Sequence, residues 1–385
     1  MSELIQKNDN CATIRWKLLT SASALAFVSY VSSANVAGAE DSARPQIWIE
    51  VGGQFDQFSG QGSPFTPPFV NTFDWGAYDL KSPAGIQNMH VFSLEEDAGI
   101  TFQPIDSDWI FSASVRYGRS HGHKFVHQQK TQYTRFQLIG TGPLGGKYFT
   151  KTLPASYAQT GANKSESHFI ADFQAGKDVG LGMFGRDSTS VFGVGVRFAR
   201  MSEKAQAAIY ARPGVDFVPG TFLGKYSSFP WRNNYHQYLG TAQRAASFSG
   251  VGPSISWNAS VPIAGNTGDG EITVDWGANA AMLFGRQRAK AHHHTTGSYH
   301  YRSGKYYYSA ALQPGAGHRT QSRSVVVPNL GGFAGLSFRY ADAKMSLGYR
   351  ADFFMGAIDN GLDTRKTETR GYYGPYASIS IGIGD

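Results

Sequence analysis

Acidic and basic side chains recur in this sequence within runs where every second residue is apolar. Glu50, Glu95, Asp97, Asp172, Asp275 and Asp352 supply negative charge, and Arg116, Arg197, Arg244, Arg339 and Arg350 supply positive charge. On an extended chain, residues two apart project to the same side. If these runs are strands of one sheet, both signs of charge share one face. Two chemistries could follow. Charges facing one another across water set up a transverse field that selects permeant ions. Charges facing one another without water pair off and fill the space between strands. The many Gly, Ser and Ala residues on the same face favour open space.

Other reactive groupings are weaker. His168 and Asp172 fall on one face of a strand, with Ser165 and Ser167 close in sequence. A hydrolase would need a nucleophile and base near a rim, and no Ser–His signature surrounds these residues, so no enzyme is expected. Histidines gather in two polar segments: His121, His123 and His127 in one, and His292, His293, His294, His300 and His318 in the other. The second group is interleaved with Tyr299, Tyr301, Tyr306, Tyr307 and Tyr308. Imidazoles bind Zn, Cu or Ni, but these segments offer no cysteine and few carboxylates. A solvated polar loop is the expectation, with no metal and no cofactor. The glycines lie in strands and turns, not in a phosphate-cradling strand–helix loop.

The elements that would carry the charges are strands. From Leu330 to Ile358, Leu330, Ala334, Leu336, Phe338 and Tyr340 alternate with Gly331, Gly335, Ser337 and Arg339, and Phe333 is the misfit. After a short break at Ala341–Lys344, Met345, Leu347, Tyr349, Ala351, Phe353 and Met355 alternate with Ser346, Gly348, Arg350, Asp352 and Gly356. This is a hairpin with one large apolar face and one small or charged face. The same pattern recurs near Ile47–Phe58, Leu94–Gln103, Trp109–Gly118, Phe169–Ala175, Phe192–Phe198, Val251–Val261, Ile272–Gly285 and Ala377–Ile383. That gives about ten strands, or twelve if Arg135–Thr150 contributes a pair. Pro253 predicts a bulge or bend. Long polar connections are expected at 59–90, 119–165, 211–240 and 288–321, alternating with short turns. The fold class is then all-β: a transmembrane antiparallel β-barrel with long outer loops and short periplasmic turns, its apolar face on lipid and its charged face inward. Trp48, Trp109, Trp257, Trp276, Tyr340, Tyr349 and Tyr373 would form interfacial girdles.

Composition agrees. The 385 residues include 46 Gly, 14% are aromatic and only 16% are charged. The mean hydropathy is -0.31, and beyond the N-terminus no apolar run reaches the length of a membrane helix. At the N-terminus, Arg15 and Lys17 precede the apolar stretch Leu18–Val31, and Ala37-Gly38-Ala39 offers small residues for cleavage. Residues 1–39 therefore read as a signal peptide and 40–385 as the barrel. The one cysteine, Cys11, lies in that leader, which excludes disulfides and thiolate metal sites from the mature chain. The formal net charge of +7 comes without a basic helix or an aromatic–basic motif, so no nucleic acid partner is expected.

Three segments resemble the proteobacterial pore-forming outer-membrane proteins of the Legionella major-outer-membrane-protein-like type. They are VDWGANAAMLFGRQ (Val274–Gln287), FRYADAKMSLGYRADFFMGAID (Phe338–Asp359) and YYGPYASISIGIG (Tyr372–Gly384). The resemblance implies a solute-conducting barrel in a Gram-negative outer membrane. Many such barrels end on an aromatic residue, whereas this sequence ends in Gly384-Asp385. The resulting expectation is a porin-like channel for passive diffusion of small hydrophilic solutes. Its pore would be lined by Glu50, Glu95, Asp97, Arg116, Asp172, Arg197, Asp275, Arg339, Arg350 and Asp352. Its partners would be membrane lipid, the permeating solutes and the barrel-assembly machinery. The alternative is a closed barrel that acts in adhesion or envelope integrity through its outer loops.

Overall fold

A computed structural model describes residues 47–59, 92–104, 107–130, 133–137, 148–152, 156–179, 189–212, 215–218, 232–266, 269–303, 306–361 and 365–383. The expected leader, the Pro-rich connection beyond Ser59 and the terminal Gly384-Asp385 lie outside these residues. The strands are β1 Ile47–Ser59, β2 Phe92–Phe102, β3 Trp109–Lys130, β4 Tyr133–Gln137, β5 Tyr148–Thr152, β6 Ser156–Asp178, β7 Thr189–Arg212, β8 Val215–Val218, β9 Arg232–Asn266, β10 Gly270–Ser303, β11 Tyr306–Tyr340, β12 Ala343–Asp359 and β13 Thr367–Ile383.

Ten of these strands close into one antiparallel barrel, β1-β2-β3-β6-β7-β9-β10-β11-β12-β13 and back to β1. The seam pairs Ile47 with Ile383 and runs to Ser59 opposite Gly371. Closure pairs every strand on both sides through the apolar belt, which is what allows a sheet to sit in hydrocarbon; farther out, among the described residues, β3 beyond Arg119 and β11 before Asn329 have no β2 or β12 partner. β4 and β5 pair only with each other, and β8 pairs along β9. The Arg135–Thr150 region therefore contributes to a separate two-stranded sheet and adds no further barrel strands.

The alternation predicted from sequence sets which way side chains point. On β12, Met345, Leu347, Tyr349, Phe353 and Met355 are exposed outward, while Ser346 and Asp352 are buried inward. Six outward positions from Met345 to Met355 span 11 residues, matching the roughly 9–11 a tilted strand needs to cross a bilayer. The neighbouring strands continue the belt with Leu336, Phe338, Ile272, Phe284, Ile255, Val194, Phe173, Phe111, Ile100 and Val51, each exposed. A water-exposed apolar belt of this extent has no place on a soluble monomer.

At one end the connections are short. β11 and β12 are joined by Ala341-Asp342, with Tyr340 opposite Ala343 and Ala341 in the left-handed region at φ 49°. That backbone twist suits a two-residue hairpin. Both chain ends of the barrel lie at this short-turn end.

The other end differs from expectation. Much of the polar segments expected as loops over 119–165, 211–240 and 288–321 is strand: β9 has 35 residues, β10 34 and β11 35. At about 3.3 Å per residue, β11 extends for roughly 115 Å of chain, several times what a bilayer requires. The strands leave the apolar belt and continue as a polar-faced wall. Ladder hydrogen bonds, not side-chain hydrophobicity, keep the backbone extended there. The His292–His318 region is part of this β10–β11 hairpin. Pro253 also departs from expectation. It stays in register opposite Val196, and the β9–β10 ladder keeps one register from Ser254 to Val251 across it. The missing N–H costs a rung, not a bulge.

Replacing Tyr349, which is 51% exposed near the middle of the belt, tests the lipid-facing assignment. We expect Tyr349→Arg to destabilise the refolded protein in phosphatidylcholine vesicles by about 2–4 kcal/mol, measured by urea titration. A change within a few tenths of a kcal/mol would mean that this face meets water.

Candidate functional site

All ten residues expected to line a passage point into the barrel, but they bond mostly to one another. In the middle of the barrel, Arg116 Nη1 donates to Asp352 Oδ2 at 2.6 Å, bridging β3 to β12. Arg197 makes a bidentate pair with Asp172, Nε to Oδ1 at 2.6 Å and Nη2 to Oδ2 at 3.0 Å. Its Nη1 donates to Asn279 at 2.7 Å and also to Asn329, and lies 3.6 Å from Asp352. Arg350 Nη1 donates to Asp97 Oδ2 at 2.9 Å and stacks its guanidinium 4.8 Å from the Tyr376 ring. Glu95 stands within 3.9 Å of Arg116 and 4.0 Å of Arg350. Glu95, Asp97, Arg116, Asp172, Arg197 and Asp352 are all buried. Arg197–Asp172 and Arg116–Glu95 join neighbouring strands along the wall, whereas Arg116–Asp352, Arg350–Asp97 and the bonds of Arg197 to Asn279 and Asn329 link strands that are not neighbours.

Toward the short-turn end the interior loosens. Lys344 Nζ pairs with Asp275 Oδ2 at 2.7 Å, and Asp275 also accepts from Ser260 at 2.6 Å and Thr273 at 3.0 Å. Arg339 lies 5.0 Å over the Trp48 ring. Trp48 thus faces inward, on the same side as Gln54 and Asp56, and does not join the outer girdle; Trp109, Tyr340 and Tyr349 are outward as expected. Glu50, Arg339 and Arg350 are half-buried.

On the other side of the ion-pair layer lies a group that charge patterning did not reveal. Ile170, Met201, Phe248, Leu283, Val327, Phe354, Ile358 and Tyr372 form one buried apolar cluster with four alanines. Its members come from β6, β7, β9, β10, β11, β12 and β13, so it spans the lumen as a plate. Phe354 meets Tyr372 edge-on at 6.1 Å. Glycine on the same inward face makes room for large rings: a Cβ on Gly250 would strike the Phe248 ring, and one on Gly118 would strike His168. These residues fall on inward positions, and Phe354 breaks the small-or-charged pattern of β12. Such parity violations are the sequence signal for the plate, and the expected lining residues omitted them.

Beyond the plate comes a second charge layer. Arg370 Nε lies 3.0 Å from Glu166 Oε1, and Arg370 also pairs with Glu203. Arg244 donates to Glu203 at 2.5 Å and to the Asn360 carbonyl at 3.0 Å. Lys164 sits 3.5 Å from Glu166 and 3.7 Å from Glu203. Farther out, Arg319 pairs with Asp359 at 2.7 Å. Of this layer the sequence reading had only Arg244. Lys164, Glu166, Glu203 and Arg370 extend the inward parity of strands that were read too short.

His168, on β6, donates or accepts at 2.6 Å with Glu95 Oε2, lies 3.6 Å from Asp56 and packs 4.0 Å from the Tyr372 ring. Asp172 is held by Arg197, and Ser165 and Ser167 project to the opposite face, so the suggestive quartet is not assembled. Asp56, Glu95 and His168 do bring ligand atoms within 4.8 Å of one another, a set that could hold a metal ion. Of the two carboxylates only Glu95 is within hydrogen-bond distance of the imidazole; Asp56 accepts from Gln54 through its other oxygen.

No known family model matches the sequence, and no curated protein matches it. Among solved structures the chain is similar to the translocator domain of autotransporter NalP from Neisseria meningitidis, at 9% identity and TM-score 0.24 over 97% of this chain and 98% of that one. It is also similar to the beta domain of the Bordetella autotransporter BrkA, at 8% identity and TM-score 0.21 over 89% of this chain and 100% of that one. A third is the toluene transporter TbuX of Ralstonia pickettii, at 8% identity and TM-score 0.20 over 89% and 90%. These values add nothing to what the strand pairing itself shows.

The second charge layer lies beyond the apolar belt and makes a pH prediction. Burial alone would raise Glu203, but Arg370, Lys164 and Arg244 together hold its carboxyl down at about 2. A depressed carboxylate contributes stability that is present above its unfolded pKa of about 4.3 and is lost as pH falls toward 2. We expect amide protection factors in the outer parts of β7 and β9, referred to the intrinsic exchange rate at each pH, to fall between pH 5 and pH 2. Glu203→Gln should remove that dependence and destabilise the barrel by about 3 kcal/mol at pH 7. An unchanged exchange profile in the variant would dismiss the pairing.

Proposed function

We propose that this protein is an integral outer-membrane barrel that keeps its lumen shut and acts through the strand wall it raises outside the membrane. The supporting observation is the apolar plate seated between two ion-pair layers. A wet channel would leave its lining accessible, whereas Glu95, Arg197, Phe248, Leu283, Val327, Phe354 and Arg370 are each no more than 3% exposed. Removing the plate or unpairing the charges would cost several kcal/mol per residue, so thermal opening is rare. The resemblance of three segments to Legionella-type pore-forming proteins, the outward apolar belt and the secretory leader support the membrane setting. Insertion by the barrel-assembly machinery and contact with lipid go with that setting, and on this reading the wall works as an adhesion or envelope-contact scaffold without catalysis.

Passive diffusion of small hydrophilic solutes is the second reading. It is favoured by the inward side chains near the short-turn end, which are small at Ser112, Ser114, Gly277, Gly335 and Gly348 and leave Arg339 and Lys344 half-buried. This vestibule would conduct only if the plate and both charge layers parted.

Planar-bilayer recording of residues 40–385 separates the two. The closed reading predicts no stable conductance steps from heat-modifiable, folded protein. It also predicts brief openings in the Phe248→Ala, Phe354→Ala double variant, where the plate is breached. Long-lived steps with a defined reversal potential in the unaltered protein would overturn it in favour of diffusion.

A further inference from the structure

The outward face of the β3–β6–β7–β9–β10–β11 wall changes character abruptly where it leaves the apolar belt. Strand register defines its rows. One row reads Val115, Ala171, Phe198, Val251, Phe284 and Val326 across the six strands, wholly apolar. Two residues farther out, the row reads Tyr117, Phe169, Arg200, Ser249, Arg286 and Ser324. The next reads Arg119, Ser167, Ser202, Ser247, Arg288 and Ser322, and the one after it His121, Ser165, Lys204, Ala245, Lys290 and Thr320. Arg119, Arg200, Lys204, Arg286, Arg288 and Lys290 are all exposed. None of the six is in an ion pair among the described residues, in contrast to the lumen, where arginines are matched by carboxylates. No carboxylate occurs in these rows; Glu96, beside Tyr117 on β2, borders them.

Guanidinium, ammonium and hydroxyl donors with no competing carboxylate form a surface that suits phosphate oxygens. Its position is as informative as its charge. The first cations stand one row beyond the last apolar residues, at the depth where headgroups begin if the belt lies in hydrocarbon. A soluble polyanion would require no such alignment. We propose that this wall binds the phosphate groups of an anionic, phosphorylated membrane lipid in the leaflet on the long-strand side. The lipid's chains would lie against Phe198, Phe284 and Val326, and its phosphates would engage Arg200, Arg286 and the row beyond. This inference rests on the reading of the belt as lipid-facing.

The test uses the whole mature chain, refolded and assembled into nanodiscs of phosphatidylcholine alone or of phosphatidylcholine mixed with lipid A. Assembly into the phosphatidylcholine discs checks the belt, and failure there would sink the membrane reading itself. After mild detergent extraction, mass spectrometry counts the lipid that stays with the protein. The expected result is selective retention of lipid A over phosphatidylcholine, weakened by salt. At roughly fivefold per cation, the triple variant Arg119→Gln, Arg200→Gln, Arg286→Gln should lose about a hundredfold in apparent affinity. Lys177→Gln, at the short-turn end, should retain lipid A like the parent chain. Equal retention by the triple variant, or complete displacement by inorganic phosphate, would overturn the proposal. Retention of an anionic polysaccharide in place of lipid A would also overturn it, in favour of a soluble polyanion.

Discussion

Arg197 ties the interior together. From β7 its guanidinium reaches Asp172 on β6, Asn279 on β10, Asn329 on β11 and the neighbourhood of Asp352 on β12. A guanidinium cannot shed its charge, so burying one demands that its donors find acceptors, and here they come from the neighbouring strand at Asp172 and from more distant strands at Asn279 and Asn329. Arg116 and Arg350 meet the same demand through Asp352 and Asp97. A charge inside is tolerable because its partners sit on the neighbouring strand and on more distant ones, and the side chains that reach those distant strands fill the lumen. The apolar plate then follows naturally: next to a dry ion-pair layer, Phe248, Leu283 and Phe354 are better buried than wet.

The outer surface obeys the complementary constraint. Between Met345 and Met355 and along the matching reaches of the other strands, the outward face is apolar, because lipid cannot solvate anything else. Where the belt stops, the sheet does not. β6, β7, β9, β10 and β11 carry on as paired strands with Ser, Thr, His and basic residues outward, and with small alanines such as Ala162, Ala205, Ala207 and Ala242 packed inward. The same hydrogen-bonded ladder therefore serves two solvents. A buried interior thus stands beside an exposed, polar-faced outer wall.

The period of two made the fold legible. Ten strands, their facing and the alternation of connections can be read from residues such as Met345–Met355 and Ile272–Phe284, because lipid and lumen impose opposite demands on neighbouring residues. The inward charges were legible for the same reason. What the pattern concealed has physical causes. Strand beyond the belt has no apolar face, so His121, Lys204 or Lys290 in a paired strand look like residues of a loop. That Arg197 meets Asp172 is set by the register of the β6–β7 pair, but that it also meets Asn279 and Asn329 depends on which more distant strands the closed barrel brings near it, and local sequence does not show that. Phe333, a misfit on the inward face, packs edge-on to Tyr376 at 6.2 Å; with Phe354 it shows that aromatic breaks in the polar parity were the visible trace of a filled lumen.

The central claim is that the interior is dry and closed at the plate. Thiol accessibility tests it most directly, because Cys11 is the only native cysteine. In a Cys11→Ser background, Leu283→Cys places a probe in the plate and Ser324→Cys one on the outer wall. With the protein in phosphatidylcholine vesicles, a membrane-impermeant methanethiosulfonate reagent should modify the Ser324 variant at once. It should leave the Leu283 variant untouched from either side until urea unfolds the barrel. Rapid modification of the Leu283 variant in the folded state would show water reaching the plate, and the closed barrel would have to be abandoned.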